Sequence, residues 1–351
     1  ENTGYHGTCL FILRLPCGKL GESSNMRIIM DITTLLIMGL LSFGLGVCSN
    51  AQNKQEHSNV KEIGNVPKED VDSYVYKNEN RPVYYAKYGN RGCLFELWIN
   101  DKLTDELTRP RTIGETSTII NPAILKSGKQ TVTIRLYPFP GETSITNENP
   151  FRLEIGYIDF AIEANEDEIR PWNVVFTLPS VEVPDEGLPY IELTGEFEAT
   201  VPYQIKGCSD CIDLRTLPDI EERVVKECQY VRELIALKKI KELKEYFTER
   251  DYEAGVALYE SSNDIDNYWN QHVKQRLEMF TKDELQPIED YRLVFSGNGR
   301  SVSLRSKKKK GKPSALLFIK QEDGNPNFKF YCIELHLGIK IGTNKLTPII
   351  M

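Results

Sequence analysis

Two cysteines separated by two residues form the sharpest local pattern in the chain. Cys208 and Cys211 follow a run of strand-forming residues, and residues 212–215 after them lack the pattern of a helix. A catalytic redox pair needs a thiolate stabilised at a helix N-terminus, and a structural zinc site needs a second closely spaced pair of ligands. The spacing therefore favours a small structural disulfide in an oxidising compartment, or inert thiols, with redox or metal chemistry as the alternative.

A basic run at residues 306–313 contains four consecutive lysines, Lys307, Lys308, Lys309 and Lys310. The run lies between two predicted strands, where charged residues usually form a solvated hairpin loop. On an acidic chain, these lysines also create a local field of opposite sign. That field would attract an acidic partner or anionic lipid headgroups. The four lysines are therefore the candidate partner-binding residues.

The other reactive residue types lack the spacing that catalysis or metal binding requires. His272 and His336 fall on a predicted helix and a predicted strand, outside any H-E-x-x-H pattern, which favours structural roles. No Gly-x-Ser-x-Gly elbow is present, and Pro313 stands where a phosphate-binding loop needs Ser or Thr. We predict no catalytic residue, no metal site and no cofactor. The abundant carboxylates leave a glycosidase-type pair open.

The length of the chain indicates the number of domains, and its net charge excludes one class of partner. The 351 residues are enough for about two domains, and a hydrophobic share of 40% is enough to build cores. Acidic residues number 51 and basic residues 43, so the net charge is −8. A general nucleic-acid binder carries the opposite balance, and we therefore predict no nucleic-acid partner.

The N-terminal region has the pattern of an export signal. No residue from Ile32 to Val47 is charged, and the run is shorter than the roughly 20 residues of a membrane span. Its length is typical of the apolar region of a signal peptide. Met26 is the first credible start. We therefore interpret residues 1–25 as an upstream or unstructured segment and residues 26–51 as a signal peptide or membrane anchor.

Two processing sites follow the apolar run. Small residues at Ser49 and Ala51 fit signal-peptidase cleavage, which would leave a mature chain from Gln52. The residues up to Cys48 instead resemble a bacterial lipobox, which would make Cys48 a lipid-carrying N-terminus attached to the membrane. An uncleaved anchor is the third alternative. The segment resembles that of exported Bacteroidetes-type proteins, which implies the periplasm or the outer surface of a bacterial envelope.

The rest of the chain divides by its hydrophobic patterns. Residues 52–72 are polar and are predicted to be a linker, and residues 73–205 contain short alternating strands punctuated by proline. Residues 215–351 begin with helical periodicity, in which Ile220, Val224, Val231 and Ile235 form an apolar stripe. They return to strands near residue 288, and the glycine-rich residues 296–300 predict a hairpin turn. These patterns predict an α+β multidomain fold: an N-terminal antiparallel β-sandwich, a helical segment and a C-terminal antiparallel β meander. The helical segment and the meander together loosely resemble cystatin- or NTF2-like folds.

One stretch carries a second resemblance. Residues 94–101 predict a strand and a turn, and residues 120–134 predict a one-turn helix and a glycine turn that leads into another strand. This pattern resembles part of the galactose-binding-like and carbohydrate-binding-module β-sandwiches. The resemblance implies a fold and assigns no binding residue, because the same element occurs in sandwiches that lack a sugar site.

These features together favour an exported, non-enzymatic binding or interaction protein of the bacterial cell envelope, with an unknown protein or glycan ligand. A periplasmic immunity protein against an interbacterial toxin is one alternative. An envelope hydrolase with a carbohydrate-binding accessory domain is the other. Trp98, Trp172 and Trp269 are interpreted as core residues, with an aromatic platform for sugars as the alternative.

Overall fold

The computed structural model describes residues 70–162, 169–278, 280–307, 314, 316–321 and 328–350. The predicted upstream segment, the signal or anchor with Cys48, and Lys308 to Lys310 lie outside these residues. The described residues belong to one compact unit. The α+β class with antiparallel sheets is confirmed, while the division into domains at 73–205 and 215–351 stays a prediction.

The N-terminal half of the described chain consists of two four-stranded antiparallel sheets. One sheet has the order β4-β1-β6-β7 and the other the order β3-β2-β5-β8. The strands are β1 (Pro82–Asn90), β2 (Leu94–Ile99), β3 (Lys102–Leu107), β4 (Ile113–Ile119), β5 (Lys126–Tyr137), β6 (Phe151–Asp159), β7 (Asn173–Thr177) and β8 (Ile191–Gln204).

Apolar residues at alternate positions of the strands of both sheets form one hydrophobic core. In β2, Phe95, Leu97 and Ile99 are buried in a hydrophobic cluster that also contains Tyr84 and Phe151 from β1 and β6. Successive side chains of a strand point to opposite faces. Glu96 and Trp98, which alternate with those core residues, therefore lie on the outer face of the β3-β2-β5-β8 sheet.

Helices follow the two sheets. The predicted apolar stripe of α1 is confirmed, because Ile220, Val224, Val231 and Ile235 are all buried. A six-residue π-helical segment, Tyr268–Val273, separates the last two helices. The helices are α1 (Ile220–Ala236), α2 (Ile240–Tyr246), α3 (Thr248–Leu258), α4 (Ser262–Asn267) and α5 (Lys274–Glu278).

The C-terminal strands pack one face on these helices. A four-stranded antiparallel sheet has the order β14-β13-β10-β9, and β11 pairs with β12 in a separate ribbon. Val302, Leu304 and Leu337 share a hydrophobic cluster with the stripe of α1. The strands are β9 (Tyr291–Ser296), β10 (Ser301–Ser306), β11 (Leu316–Gln321), β12 (Phe328–Ile333), β13 (Leu337–Ile339) and β14 (Leu346–Pro348).

A turn-to-turn contact connects the two β regions. Asn100 and Asp101 join β2 to β3 with positive φ angles of 50° and 59°. The backbone N–H of Gly297 donates to the Asp101 carbonyl at 3.2 Å, and the N–H of Asn298 donates to the Asp101 carboxylate at 2.9 Å. The β9–β10 turn is thereby fixed against the β2–β3 turn, which brings β10 beside β3.

Candidate functional site

A group of charged side chains is buried or half-buried where β3 meets the C-terminal sheet. We call it the charge seam: Lys102, Glu106, Arg305, Glu334 and His336. The Arg305 guanidinium donates to the Glu106 carboxylate, and its Nη1 lies 3.4 Å from Oε1 of Glu334. The His336 Nε2 lies 3.7 Å from the other Glu334 oxygen. Only 6% of the Arg305 side chain and 10% of the Glu106 side chain are exposed, so water screens these charges little.

Burial and charge pairing shift the ionisation of the seam. Burial raises the pKa of Glu106 to about 7, although Arg305 acts in the opposite direction. Burial lowers the pKa of Lys102 to about 8, which Glu334 partly offsets. Burial also lowers the pKa of His336. Although burial acts to raise it, the pKa of Glu334 is held below its usual value by His336, Arg305 and Lys102.

The C-terminal sheet presents a polar face to this seam. Ser296, Ser301, Ser303 and Arg305 are all buried, while the alternate residues of β10 belong to the hydrophobic cluster on the opposite face. Within the described part of the chain, the Ser301 hydroxyl and Nδ1 of His336 have no hydrogen-bond partner. Burying polar groups costs free energy. The contact is therefore more polar than either of the hydrophobic clusters beside it.

The seam continues across the outer face of the sheet as a row of charges. Glu106 on β3 lies opposite Glu96 on β2, Glu96 lies opposite Arg135 on β5, and Arg135 lies opposite Glu192 on β8. The Arg135 Nε donates to Glu192 at 2.8 Å, and its Nη1 lies 3.8 Å from Glu96. Side-chain exposure rises from 10% at Glu106 to 41% at Glu192, so the row leads from the interior to solvent.

Aromatic rings border the exposed end of this row. The Trp98 indole N–H donates to Glu96 at 3.1 Å, and the Arg135 guanidinium carbon lies 4.9 Å from the Trp98 ring centroid. The Tyr137 hydroxyl donates to Glu96 at 3.4 Å. The Tyr190 ring lies 5.4 Å from the Tyr137 ring, measured between centroids.

Tyr190 is the most accessible ring of this group. It is 42% exposed, and its hydroxyl donates to Glu192 at 2.5 Å. Burial and the neighbouring carboxylates raise the pKa of Tyr137 and of Tyr190, so both phenols stay neutral donors at ordinary pH. We call the whole surface the aromatic–carboxylate face: Glu96, Trp98, Arg135, Tyr137, Tyr190 and Glu192.

The two cysteines of the predicted disulfide lie on one tight turn. Cys208 belongs to a 3-10 helix, Gly207–Asp210, and the N–H of Cys211 donates to the Cys208 carbonyl at 3.1 Å. Both are free thiols in the structure. Burial raises the pKa of Cys208, and it raises the pKa of Cys211 to about 12. The disulfide itself stays a prediction.

The predicted lysine site is described only at its first residue. Lys307 is exposed directly after β10, and its backbone N–H donates to the Asp290 carbonyl at 2.6 Å. The partner-binding role of the four lysines stays a prediction. The structure places Lys307 at the exposed end of β10, beyond the charge seam.

The three tryptophans have different environments. Trp98 and Trp269 are buried, and the Trp269 indole N–H donates to Asp251 at 2.6 Å. Trp172 is half-buried over Gly156, and its indole N–H donates to Glu154 at 2.5 Å. Trp98 alone belongs to the aromatic–carboxylate face, and it supports Arg135 more than it offers a surface to solvent.

Sequence reasoning did not select the other members of the face. The sequence did contain a signal for part of the face, because alternate residues of a strand share one face. Glu96 and Trp98 alternate in one predicted strand, and Arg135 and Tyr137 alternate in another. The register that places these strands side by side is a tertiary property. It brings Glu192 into the same row from more than fifty residues away along the chain.

Three or more metal-ligating side chains do not cluster anywhere in the described residues. Among the same residues, no helix is both long and apolar enough to cross a membrane. No protein-family model matches the chain, and neither a curated protein nor a solved structure matches it.

Proposed function

We propose that this protein is an exported, non-enzymatic binding protein of the bacterial cell envelope that binds a glycan on its aromatic–carboxylate face. The observation that carries the proposal is the position of Tyr190. Its ring is accessible, and Glu192 fixes its hydroxyl. A rigid aromatic ring beside charged hydrogen-bonding groups supplies contact area at a low cost in conformational entropy.

The chemistry of the face suits a sugar. The apolar C–H face of a pyranose ring packs on an aromatic ring, and sugar hydroxyls donate to carboxylates or accept from a guanidinium. Tyr190 offers the ring, Glu192 and Glu96 offer acceptors, and Arg135 offers donors. Arg135 is already oriented by Glu192 and the Trp98 ring, so binding would order few additional groups.

The proposal extends to the fold. We propose that the two four-stranded sheets form a β-sandwich whose outer surface carries the face. The single hydrophobic cluster shared by β1, β2, β5 and β6 supports this arrangement. A cystatin- or NTF2-like arrangement of residues 215–351 is the corresponding proposal for the helices and the C-terminal strands.

A panel of immobilised glycans tests the binding function. The full chain should bind a subset of the panel, and the double variant Arg135→Ala/Tyr190→Ala should lose that binding. Tyr230→Ala is the matched control, because Tyr230 is 45% exposed and lies on α1, outside the face. Absence of wild-type binding across the panel, together with capture of a purified envelope protein, would replace the glycan with a protein ligand.

Export is tested separately. Intact-mass analysis of protein made in a bacterial host with a related envelope should find a chain that starts at Gln52 or at a lipid-modified Cys48. A full-length product retained in the cytosol would contradict the export part of the proposal. It would leave the glycan-binding part standing, because that part depends only on residues 96–192.

One observation favours the hydrolase as a second candidate. Glu96 and Glu106 are directly opposed on the same sheet face, and the pKa of Glu106 is raised to about 7, as in a general acid. The hydrogen bonds of the two carboxylates favour binding instead, because Glu106 already accepts from Arg305 and Glu96 already accepts from Trp98. Glycan hydrolysis that disappears in both Glu96→Gln and Glu106→Gln would favour the hydrolase.

A further inference from the structure

The connector between β8 and α1 holds two thiols of unequal accessibility. Cys211 is 2% exposed, and its sulfur lies against Gly338 of β13 in the space that a side chain there would fill. Cys208 is half-buried, and it packs on the small cluster formed by Cys211 and Ile349. An external reagent would therefore reach Cys208 more easily than Cys211.

The turn that carries the two thiols is fixed at both ends. At its start, the backbone N–H groups of Lys206 and Gly207 donate to the buried Glu253 carboxylate at 2.9 and 3.0 Å. At its end, Cys211 forms a β-bridge with Lys340, and the N–H of Ile341 donates to the Asp210 carbonyl at 2.9 Å. Cys208 packs on the cluster that contains Cys211, and a fixed turn keeps the two side chains together, which favours intramolecular over intermolecular bonding.

The charges around the two thiols are also unequal. The cations of Lys102 and Arg300 lie near Cys208 and oppose the rise in pKa that burial causes there. At Cys211, burial is the main cause of a pKa raised to about 12; Cys208 and the carboxylates of Asp210 and Glu253 act in the same direction, and Lys340 acts against them. The thiolate is the reactive form, so electrostatics favours attack by Cys208, in agreement with its accessibility.

We propose that Cys208 and Cys211 form a site of reversible thiol–disulfide exchange with a low-molecular-weight disulfide, and that Cys208 is the thiol that enters the reaction. Cys208 loses its proton and attacks one sulfur of the external disulfide, which releases the first external thiol. Cys211 then loses its proton and attacks the Cys208 sulfur, which closes the internal disulfide and releases the second thiol. The two cysteines are oxidised by two electrons and the external disulfide is reduced. A small disulfide is favoured because Cys208 is only partly exposed.

Peptide-resolved mass spectrometry of the full chain in glutathione redox buffers tests this site. The wild type should form the Cys208–Cys211 disulfide as the oxidised fraction increases and should lose it in dithiothreitol. In Cys211→Ser, glutathione should stay attached to Cys208. That adduct should be about tenfold more abundant than the Cys211 adduct in Cys208→Ser. Cys93 and Cys228 are buried internal controls and should stay unmodified.

A second measurement covers the case in which a serine variant does not fold. In the reduced wild type, iodoacetamide should label Cys208 about tenfold faster than Cys211. Equal labelling rates, or a first adduct on Cys211, would overturn the assignment of Cys208. Absence of the internal disulfide at every glutathione ratio would overturn the site as a whole. The proposed glycan binding is independent of each of these outcomes.

Discussion

Glu96 and Glu106 lie directly opposite one another on neighbouring antiparallel strands, and each is paired with a different arginine. Arg305 from the C-terminal sheet donates to Glu106, and Arg135 from β5 lies 3.8 Å from Glu96. Like charges in directly opposed positions destabilise a sheet. Both arginines are therefore needed at this point, and they connect the buried charge seam to the exposed aromatic–carboxylate face.

The first prediction concerns the buried arginine. Arg305→Met should lower the free energy of unfolding by about 3–5 kcal/mol, because it leaves the Glu106 carboxylate buried without its cation and removes one of the cations beside Glu334. Chemical denaturation measures the change. Arg215→Met is the control: Arg215 pairs with Asp213 at 2.6 Å on the surface, and its loss should not change stability measurably. Equal effects of the two substitutions would show that the charge seam is not a structural connection.

The second prediction concerns pH. The pKa of Glu106 is about 7 in the folded protein, above its ordinary value of 4.5, so the folded state binds the extra proton. The resulting stability is complete below pH 4.5 and is lost as pH rises through 7. Glu106→Gln should remove a slope of at most about 1.4 kcal/mol per pH unit between about pH 4.5 and 7. Parallel pH profiles of the wild type and the variant would contradict the raised pKa.

Local patterns in the sequence predicted much of the fold. The alternating run at residues 93–99 became β2, the apolar stripe from Ile220 to Ile235 became the buried face of α1, and the glycine-rich turn at residues 296–300 joins β9 to β10. Each of these elements depends on the spacing of nearby residues. Periodicity therefore reveals them without knowledge of the tertiary structure.

The candidate site depends on contacts that spacing does not reveal. Glu106 and Arg305 are almost two hundred positions apart in the chain. The polar residues of β10 predict a face exposed to solvent, although in the structure they are buried. Strand β4, with exposed Gly114 to Ser117, lacks the alternation that predicts a strand. The row of charges exists only because four strands share one register, which is set by the packing of the inner face.

The third prediction concerns the lysine run. Replacing Lys307 to Lys310 with Gln should slow association with anionic lipid vesicles at low salt, and the difference should shrink at high salt. Thermal stability should change little, because charges in a solvated loop, which the sequence predicts for this run, contribute little to folding. The matched control replaces four dispersed exposed lysines, Lys126, Lys226, Lys282 and Lys345, with Gln. Equal association rates for the two variants would assign the run to a solvated loop.

The central claim is that the aromatic–carboxylate face binds a glycan, and calorimetric titration tests it most directly. With the strongest ligand of the glycan panel, Tyr190→Ala should raise Kd by about tenfold or more, because it removes the accessible ring. Tyr230→Ala, which removes an equally exposed ring outside the face, should leave Kd unchanged. If Tyr190→Ala binds the glycan as tightly as the wild type does, the glycan does not bind at this face.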